Sequence, residues 1–470
     1  MIICNIFFGN GMKIFILFAL ISVSSPVLSS TVDTAQRYLN ILGYDAGAVD
    51  GLYGNKTKRA LEAFFADRGT NYDGTLDDAE IDALLDTGLL GEAAKKSDAH
   101  NPRKILPTRP KVFDSKPCID HLNTRSTYKV ERILSRNDFS EIDSFSPNEE
   151  GFLKINEIAE SFLSKIWSEP TEENSEQIKS LLKLMFDAEY AAKPKDNDND
   201  DSLPTKNFLL TAMYIYSVLE KEGHLSPREK LKYLAELQKR FEAIQYAPRR
   251  GFLMNRCSVG RDTFACQNHT YSHQHVRTMY GALFNDETHF KMGAKIYQFA
   301  IDDLSDDGAL WREAVRGKWA WRYYGHGLSH LLSIAEIYRL NGKDLYSYTS
   351  PKNGMSIHDA VEFYLKALQA PEMMWKYAKR LEGVEDRNGA EAYKSREFLS
   401  RVSSQQEWDG IKNWYYVYRS VFPDHENTLL AEKLIPTYGA QMINSNNVGY
   451  FAQCIYKAAN QEVGPFFFSR

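Results

Sequence analysis

The chain has 470 residues, 43% hydrophobic and 25% charged, a balance that reads as globular protein with more than one domain. A net charge of −5 supplies no basic field for nucleic acid and leaves room only for a local basic cleft. Aromatic residues make up 13% of the chain, and such rings build cores as readily as they stack on sugars.

Residues 1–30 read as a signal peptide. From Met12, "MKIFILFALISVSSPVLSS" offers one lysine, an apolar run from Ile14 to Val23 and small residues at Ser29 and Ser30. The run is too short for a comfortable membrane span, so the expected destination is periplasmic or secreted, with no span left after leader removal. Outside the leader stand Cys118, Cys257, Cys266 and Cys454, an even set that permits two disulfides in an oxidising compartment. Cys257 with Cys266 is the favoured pair, and four buried thiols are the alternative.

Residues 31–90 form a unit of their own. Ala35, Tyr38, Leu39 and Leu42 mark one amphipathic helix, and Ala60, Leu61 and Phe64 mark a second. Gly51 and Gly54 fit the tight turn between them, with Thr57 or Asn55 as the expected cap. "LDDAEIDALLDTG" reads as a third, short helix. The stretch "LGYDAGAVDGLYGNKTKRALEAF" resembles the three-helix peptidoglycan-binding domain, with Asp50, Gly51, Tyr53, Gly54 and Thr57 in that family's order. The resemblance implies docking to cell-wall peptidoglycan, although such modules also serve as inert folded spacers.

Residues 91–117 have linker composition, charged and carrying four prolines. Within a domain placed at 118–470, everything from 149 onward reads as helices: "NEEGFLKINEIAESFLSKIW", "SEQIKSLLKLMFDAEYAA", "NFLLTAMYIYSVLEKEG" and "SPREKLKYLAELQKRFEAI" each space apolar residues by three and four. Ser226-Pro227 is a good helix opening. "KPKDNDNDDSLPTK" lacks the glycine and terminal glutamate of a calcium loop and reads as a solvated connection. With almost no two-residue alternation, the expected fold class is all-α, as a bundle, solenoid or closed toroid of helical hairpins. The lack of a fixed repeat argues against a solenoid.

Two stretches carry chemistry. In "CQNHTYSHQH", helical spacing puts His269, His273, Val276, Tyr280 and Leu283 on one face, with Asn268 at the helix mouth as an expected N-cap. A cap plus an interior histidine is the structural alternative. His269 and His273, four apart, have chelating spacing, but "TYS" between them lacks the glutamate of a zinc-protease helix. No metal and no cofactor is expected. In "RGKWAWRYYGHGLSH", Arg316, Trp319, Tyr323, His326 and His330 fall along one helical stripe that mixes rings, a fixed cation and imidazoles. That mixture suits a cleft for an acidic sugar better than a core. Gly325 and Gly327 hint at close approach by a ligand or by backbone.

Together these stretches resemble the alginate lyases of polysaccharide lyase family five, over about residues 115–450. Cys266, Gln267, Asn268, His269, Thr270 and Tyr271 follow the family's Cys-Asn-Asn-His-Ser-Tyr run, and Leu310, Glu313, Arg316 and "AWRYYGHG" follow its second motif in register. "LSRNDFSEID" at 134–143 is similar to its lid segment, and "KNWYYVYRSVF" at 413–423 to its late aromatic segment. The resemblance implies an (α/α) toroid, preceded here by the small three-helix domain, and β-elimination on a uronic-acid polymer such as alginate or polymannuronate. Asn268 and Arg316 are then the candidates for neutralising the substrate carboxylate, His269 for the base, and Tyr323, Tyr324 or His326 for the acid. An unperturbed imidazole would suit the base role without special tuning. Arg136, Trp319, Arg322, His330, Trp414, Tyr415 and Tyr418 are the candidates for contacting the acidic polysaccharide.

The departures from the family matter. Its catalytic tyrosine falls on His326, its second catalytic arginine on Trp319, and its lid Lys-Tyr pair on Arg136-Asn137. Tyr323 or Tyr324 replaces that tyrosine from a neighbouring turn, or His326 takes the role, or catalysis is lost. The last case leaves a uronan-binding or exopolysaccharide accessory protein on the same scaffold. A hydrolase would need paired carboxylates, and Glu313 is the only acid close to either stretch.

Overall fold

Helices are the only regular elements among the described residues of the computed structural model, which are 27–85, 103–107, 163, 165–167, 169–187, 202–245, 257, 266–316, 320–378 and 414–434. The apolar run of the leader, Cys118, Cys454, Arg136 and Trp319 lie outside them, as does most of the stretch 148–167. Two compact units divide the chain, Met1–Leu90 and Gly91–Arg470. No helix among the described residues is long and apolar enough to cross a membrane.

In the first unit, α1 (Val27–Ile41) packs against α2 (Asn55–Asp67) and α3 (Asp78–Leu85). Because α1 begins at Val27, the end of the expected leader is helical. The spacing-predicted face is buried: Ala35, Leu39, Ala60, Leu61 and Phe64 meet Leu84 and Leu85. The cap expectation is corrected. Gly54 is the N-cap of α2 and makes no side-chain cap hydrogen bond, while Thr57 is buried inside the first turn.

The turn is organised instead by the buried amide of Gln36. Its Nε2 donates to Asp50, to the Leu52 carbonyl and to Thr57 Oγ1 at 3.0–3.1 Å, and its Oε1 accepts from the Asp50 and Gly51 amides at 3.1 Å. Gly51 supplies the left-handed conformation this path needs, with φ 69°. Asp50, Gly51 and Thr57 thus serve the loop's geometry, and Leu52 and Tyr53 are the large side chains it exposes.

The second unit runs α4 (Glu172–Asp187), α5 (Ser202–Lys221), α6 (Pro227–Gln245), α7 (Asn268–Leu283), α8 (Glu287–Asp302), α9 (Trp311–Ala314), α10 (Ala320–Leu340), α11 (Ile357–Gln369), α12 (Glu372–Ala378) and α13 (Glu426–Leu434). Pro227 opens α6 as its sequence anticipates. Ser202 to Lys206, read from sequence as the end of a connection, form the first turns of α5. A capping box formed by Ser356 and Asp359 starts α11. One apolar core joins these helices.

Part of the expected linker is seated on this unit. Ile105 and Leu106 are buried, and the Arg103 amide donates to the Ala282 carbonyl at 2.9 Å. The Arg103 guanidinium lies 4.3 Å from the Phe290 ring centroid and pairs with Glu287.

Helix α7 is packed by α5, α8 and α10. Its sequence predicts one buried face, but burial runs round nearly the whole helix, taking in Thr270, Ser272, His273, Gln274, His275 and Thr278. A helix this polar gains little from burial. Close backbone approach is what permits it. A Cβ on Gly281 would stand 2.2 Å from the Phe290 amide nitrogen of α8, so only glycine fits. We expect Gly281→Ala to cost about 1–3 kcal/mol by overpacking, despite alanine's better helix propensity. A urea midpoint at or above that of the parent protein would contradict this.

Candidate active site

The mouth of α7 is built by a disulfide and a turn. Cys257 is bonded to Cys266, the pair favoured from sequence. Cys266 holds a φ of 78°, unusual for a residue with a side chain, and its amide donates to Thr270 Oγ1 at 3.1 Å. The helix then opens with Gln267 as N-cap, its carbonyl accepting from the Thr270 and Tyr271 amides at 2.7 and 3.0 Å. Asn268 is therefore the first helical residue and not the cap. Its backbone amide donates to the carboxylate of Glu313, a fully buried residue of α9.

The second motif also departs from a single stripe. Arg316 lies in the turn after α9, and α10 starts only at Ala320, so the helix does not carry the arginine. The turn brings it back all the same. The Arg316 guanidinium donates to the Gln267 side chain and sits 4.1 Å from the Tyr323 ring centroid, a cation–π contact. Tyr323 and His326 follow on one face of α10, both partly buried, with ring centroids 6.1 Å apart. Gln267, which the sequence reading quotes without a role, is thus the bridge between the two motifs.

His269 is partly buried beside this group. Burial, then the charges of Lys206 and Arg316, push its pKa down to about 3. The expectation of an unperturbed imidazole is corrected: His269 is neutral in the free protein throughout the neutral range. Lys206, from the first turns of α5, is fully buried and its charge also bears on His273 and His330. Nothing in the sequence singles it out, since one lysine ahead of an apolar run looks like a solvated helix start. Two cations, Lys206 and Arg316, and one buried carboxylate, Glu313, thus bear on this end of α7, with the imidazoles between them uncharged.

His273 and His275 are buried, and burial pushes both down to about 3. His275 and His330 share a hydrogen bond between their Nδ1 atoms, 3.2 Å apart. Among the described residues, no group of three or more His, Cys, Asp or Glu could hold a metal ion.

Several aromatic candidates are packing residues. Tyr324 is fully buried; its hydroxyl donates to the Ala360 carbonyl and accepts from the Leu310 amide, both at 3.0 Å. Burial holds that phenol far above its ordinary pKa, so a role as proton donor to a leaving oxygen is corrected to one of positioning the α9 turn. His330 is buried against His275.

Trp414 and Tyr418 are buried too, Trp414 lying edge-on to Tyr364 at 6.0 Å and Tyr418 bonded to His358 at 2.7 Å. Tyr415 is mostly covered, with its hydroxyl near Glu432 at 3.4 Å. These three are corrected from substrate contacts to core residues: large rings gain more from burial than from a wet cleft. Arg322 lies on α10, its side chain outside the described set, as are Arg136 and Trp319.

Comparison with known proteins adds a family to this geometry. Residues 250–374 match the alginate lyase family, and residues 29–84 match the putative peptidoglycan binding domain. A polysaccharide lyase of Stenotrophomonas maltophilia is 37% identical over 67 residues, which is 14% of this chain and 20% of that protein. The match thus spans about a fifth of that relative's length.

Among solved structures, alginate lyase A1-III from Sphingomonas species A1 aligns with a TM-score of 0.48 at 17% identity, covering 92% of this chain and 99% of that one. An alginate lyase from Bacteroides ovatus aligns with a TM-score of 0.46 at 15% identity, covering 65% of this chain and 74% of its own. Cys257, Asn268, His269, Glu313, Arg316, Tyr323 and His326 all lie within the match to the alginate lyase family, and the match to the putative peptidoglycan binding domain precedes it in the chain.

Proposed function

We propose that the protein is an exported polysaccharide lyase that cleaves a uronic-acid polymer by β-elimination, with the N-terminal domain docking to the cell wall. One observation supports this most: at the mouth of α7, within the alginate lyase match, Asn268 and His269 sit beside the cations Arg316 and Lys206. The reaction removes the C5 proton beside the uronate carboxylate. The C5–H electrons form the C4=C5 double bond, and the C4–O4 bond breaks as O4 takes a proton.

The C5 proton becomes acidic only when the carboxylate is neutralised. Arg316 and the Asn268 amide supply donors for that purpose. The same cations that hold His269 neutral in the free protein are offset when the carboxylate arrives, so the imidazole regains affinity for a proton with substrate in place. Tyr323 and His326 are the remaining candidates for returning a proton to O4, and Arg136, Trp319 and Arg322 keep their assignment as sugar contacts. At the N-terminal domain, the exposed pair Leu52 and Tyr53 is the face we assign to the wall glycan.

The test is a panel of polymannuronate, polyguluronate and polyglucuronate with the purified protein and no added metal, scored for ultraviolet-absorbing unsaturated ends. Unsaturated products from at least one polymer are expected. Binding of a polymer without any such product would replace the lyase by a uronan-binding accessory protein. Loss of activity with a chelator would bring back a metal site.

A further inference from the structure

Glu313 is an acid in a place where an acid needs a reason. It is fully buried, on a four-residue helix, and its carboxylate accepts the backbone amide of Asn268. The first amides of a helix have no partner within it, and a negative charge there also opposes the positive end of the helix dipole. Here that charge comes from another element and not from the α7 sequence, whose N-cap Gln267 makes no side-chain cap bond.

The surroundings are arranged to keep Glu313 in place. Tyr324 holds the start of α9 through the Leu310 amide at 3.0 Å. Arg312 anchors the same turn in a buried ion pair with Asp303 at 2.6 Å. Across from them α10 carries Gly327, where a Cβ would stand 3.3 Å from Glu313 Cγ and 3.5 Å from the Tyr271 ring. The Arg316 amide bonds back to the Glu313 carbonyl at 3.2 Å, so one residue ties both motifs at the backbone.

We propose that Glu313 is a positioning residue that fixes Asn268 and His269 for proton abstraction by holding the first turn of α7, a role that rests on the lyase reading for its catalytic consequence. Displacement of a reacting group by about 1 Å costs about 100-fold in rate. Glu313→Ala is therefore expected to lower kcat about 100-fold with KM little changed, in protein that keeps its helical circular dichroism. Glu313→Gln keeps an acceptor oxygen without the charge, and should recover part of that loss. Gly327→Ala leaves the carboxylate in place but crowds it, and should lower kcat in the same direction.

A second readout needs no turnover: the His269 ring resonances of histidine-labelled protein should move in Glu313→Gln relative to the parent. Unchanged kcat per folded molecule in Glu313→Ala, or unmoved His269 resonances in Glu313→Gln, would overturn the positioning role. A parent protein that makes no unsaturated ends, with His269 resonances still responding to Glu313→Gln, would sink the lyase reading and leave the positioning intact.

Discussion

Replacing His269 by alanine is expected to reduce turnover of the preferred polyuronate by about 1,000-fold, within the range for losing a general base, while the helical circular dichroism stays as in the parent. His269 is mostly covered but lies outside the apolar core, so truncation removes little core packing. The pH dependence adds a sharper expectation. A base must be neutral to work, so activity falls as pH drops through its pKa, and burial with Lys206 and Arg316 puts that pKa at about 3 in the free protein. kcat/KM reports the free protein, and so should stay flat from pH 7.5 to about 6 with no break at the ordinary histidine value of about 6.5. A one-proton decline centred near 6.5 would assign the base to some other group. Unfolding of the alanine variant would make His269 a structural residue.

The second large effect is acid lability. Burial lowers His269, His273 and His275 to about 3, and His358 to about 4 with His425 as a further cause, and it holds His330 well below its ordinary value. In the unfolded chain each would titrate at about 6.5. The unfolded state therefore binds more protons below that value, and stability is lost as pH falls from about 6.5 towards the folded values. At pH 5 each of His269, His273, His275 and His358 contributes a loss of about 2 kcal/mol, so about 8 kcal/mol in all. That is comparable to the whole stability of many domains. Urea unfolding between pH 7.5 and 5 should give a slope near pH 5 of about four to five protons taken up per molecule unfolded. A slope below one proton would mean these histidines carry their charge when folded.

How much of this was legible in the sequence depended on which force each residue answers to. Ala35, Leu39, Leu61 and Phe64 obey the spacing rule because each has only burial to satisfy. Cys257 and Cys266 pair as their closeness in the chain suggested. Helix α7 defeated the same rule: periodicity reads one apolar face, whereas "NHTYSHQH" is enclosed on nearly all sides by neighbours that no local pattern encodes. Tyr324, Trp414 and Tyr418 were misassigned because a ring in a core and a ring under a sugar have the same spelling. Gln36, Gln267 and Lys206 act through partners 14 to 124 positions away, and distance in the chain hides them. Asn268 and His269 stood out in the sequence, but their support from Glu313 required the fold.

Helix α7 also divides labour in time. Enclosed by α5, α8 and α10, it has few ways to open its backbone to water short of unfolding the unit, so its amides belong to the slowest exchanging class. The proposed catalytic pair, Asn268 and His269, sits in the first turn of this enclosed helix. On the lyase reading, a rearrangement that admits a polymer chain would have to leave this helix in place, so that the proposed base stays still.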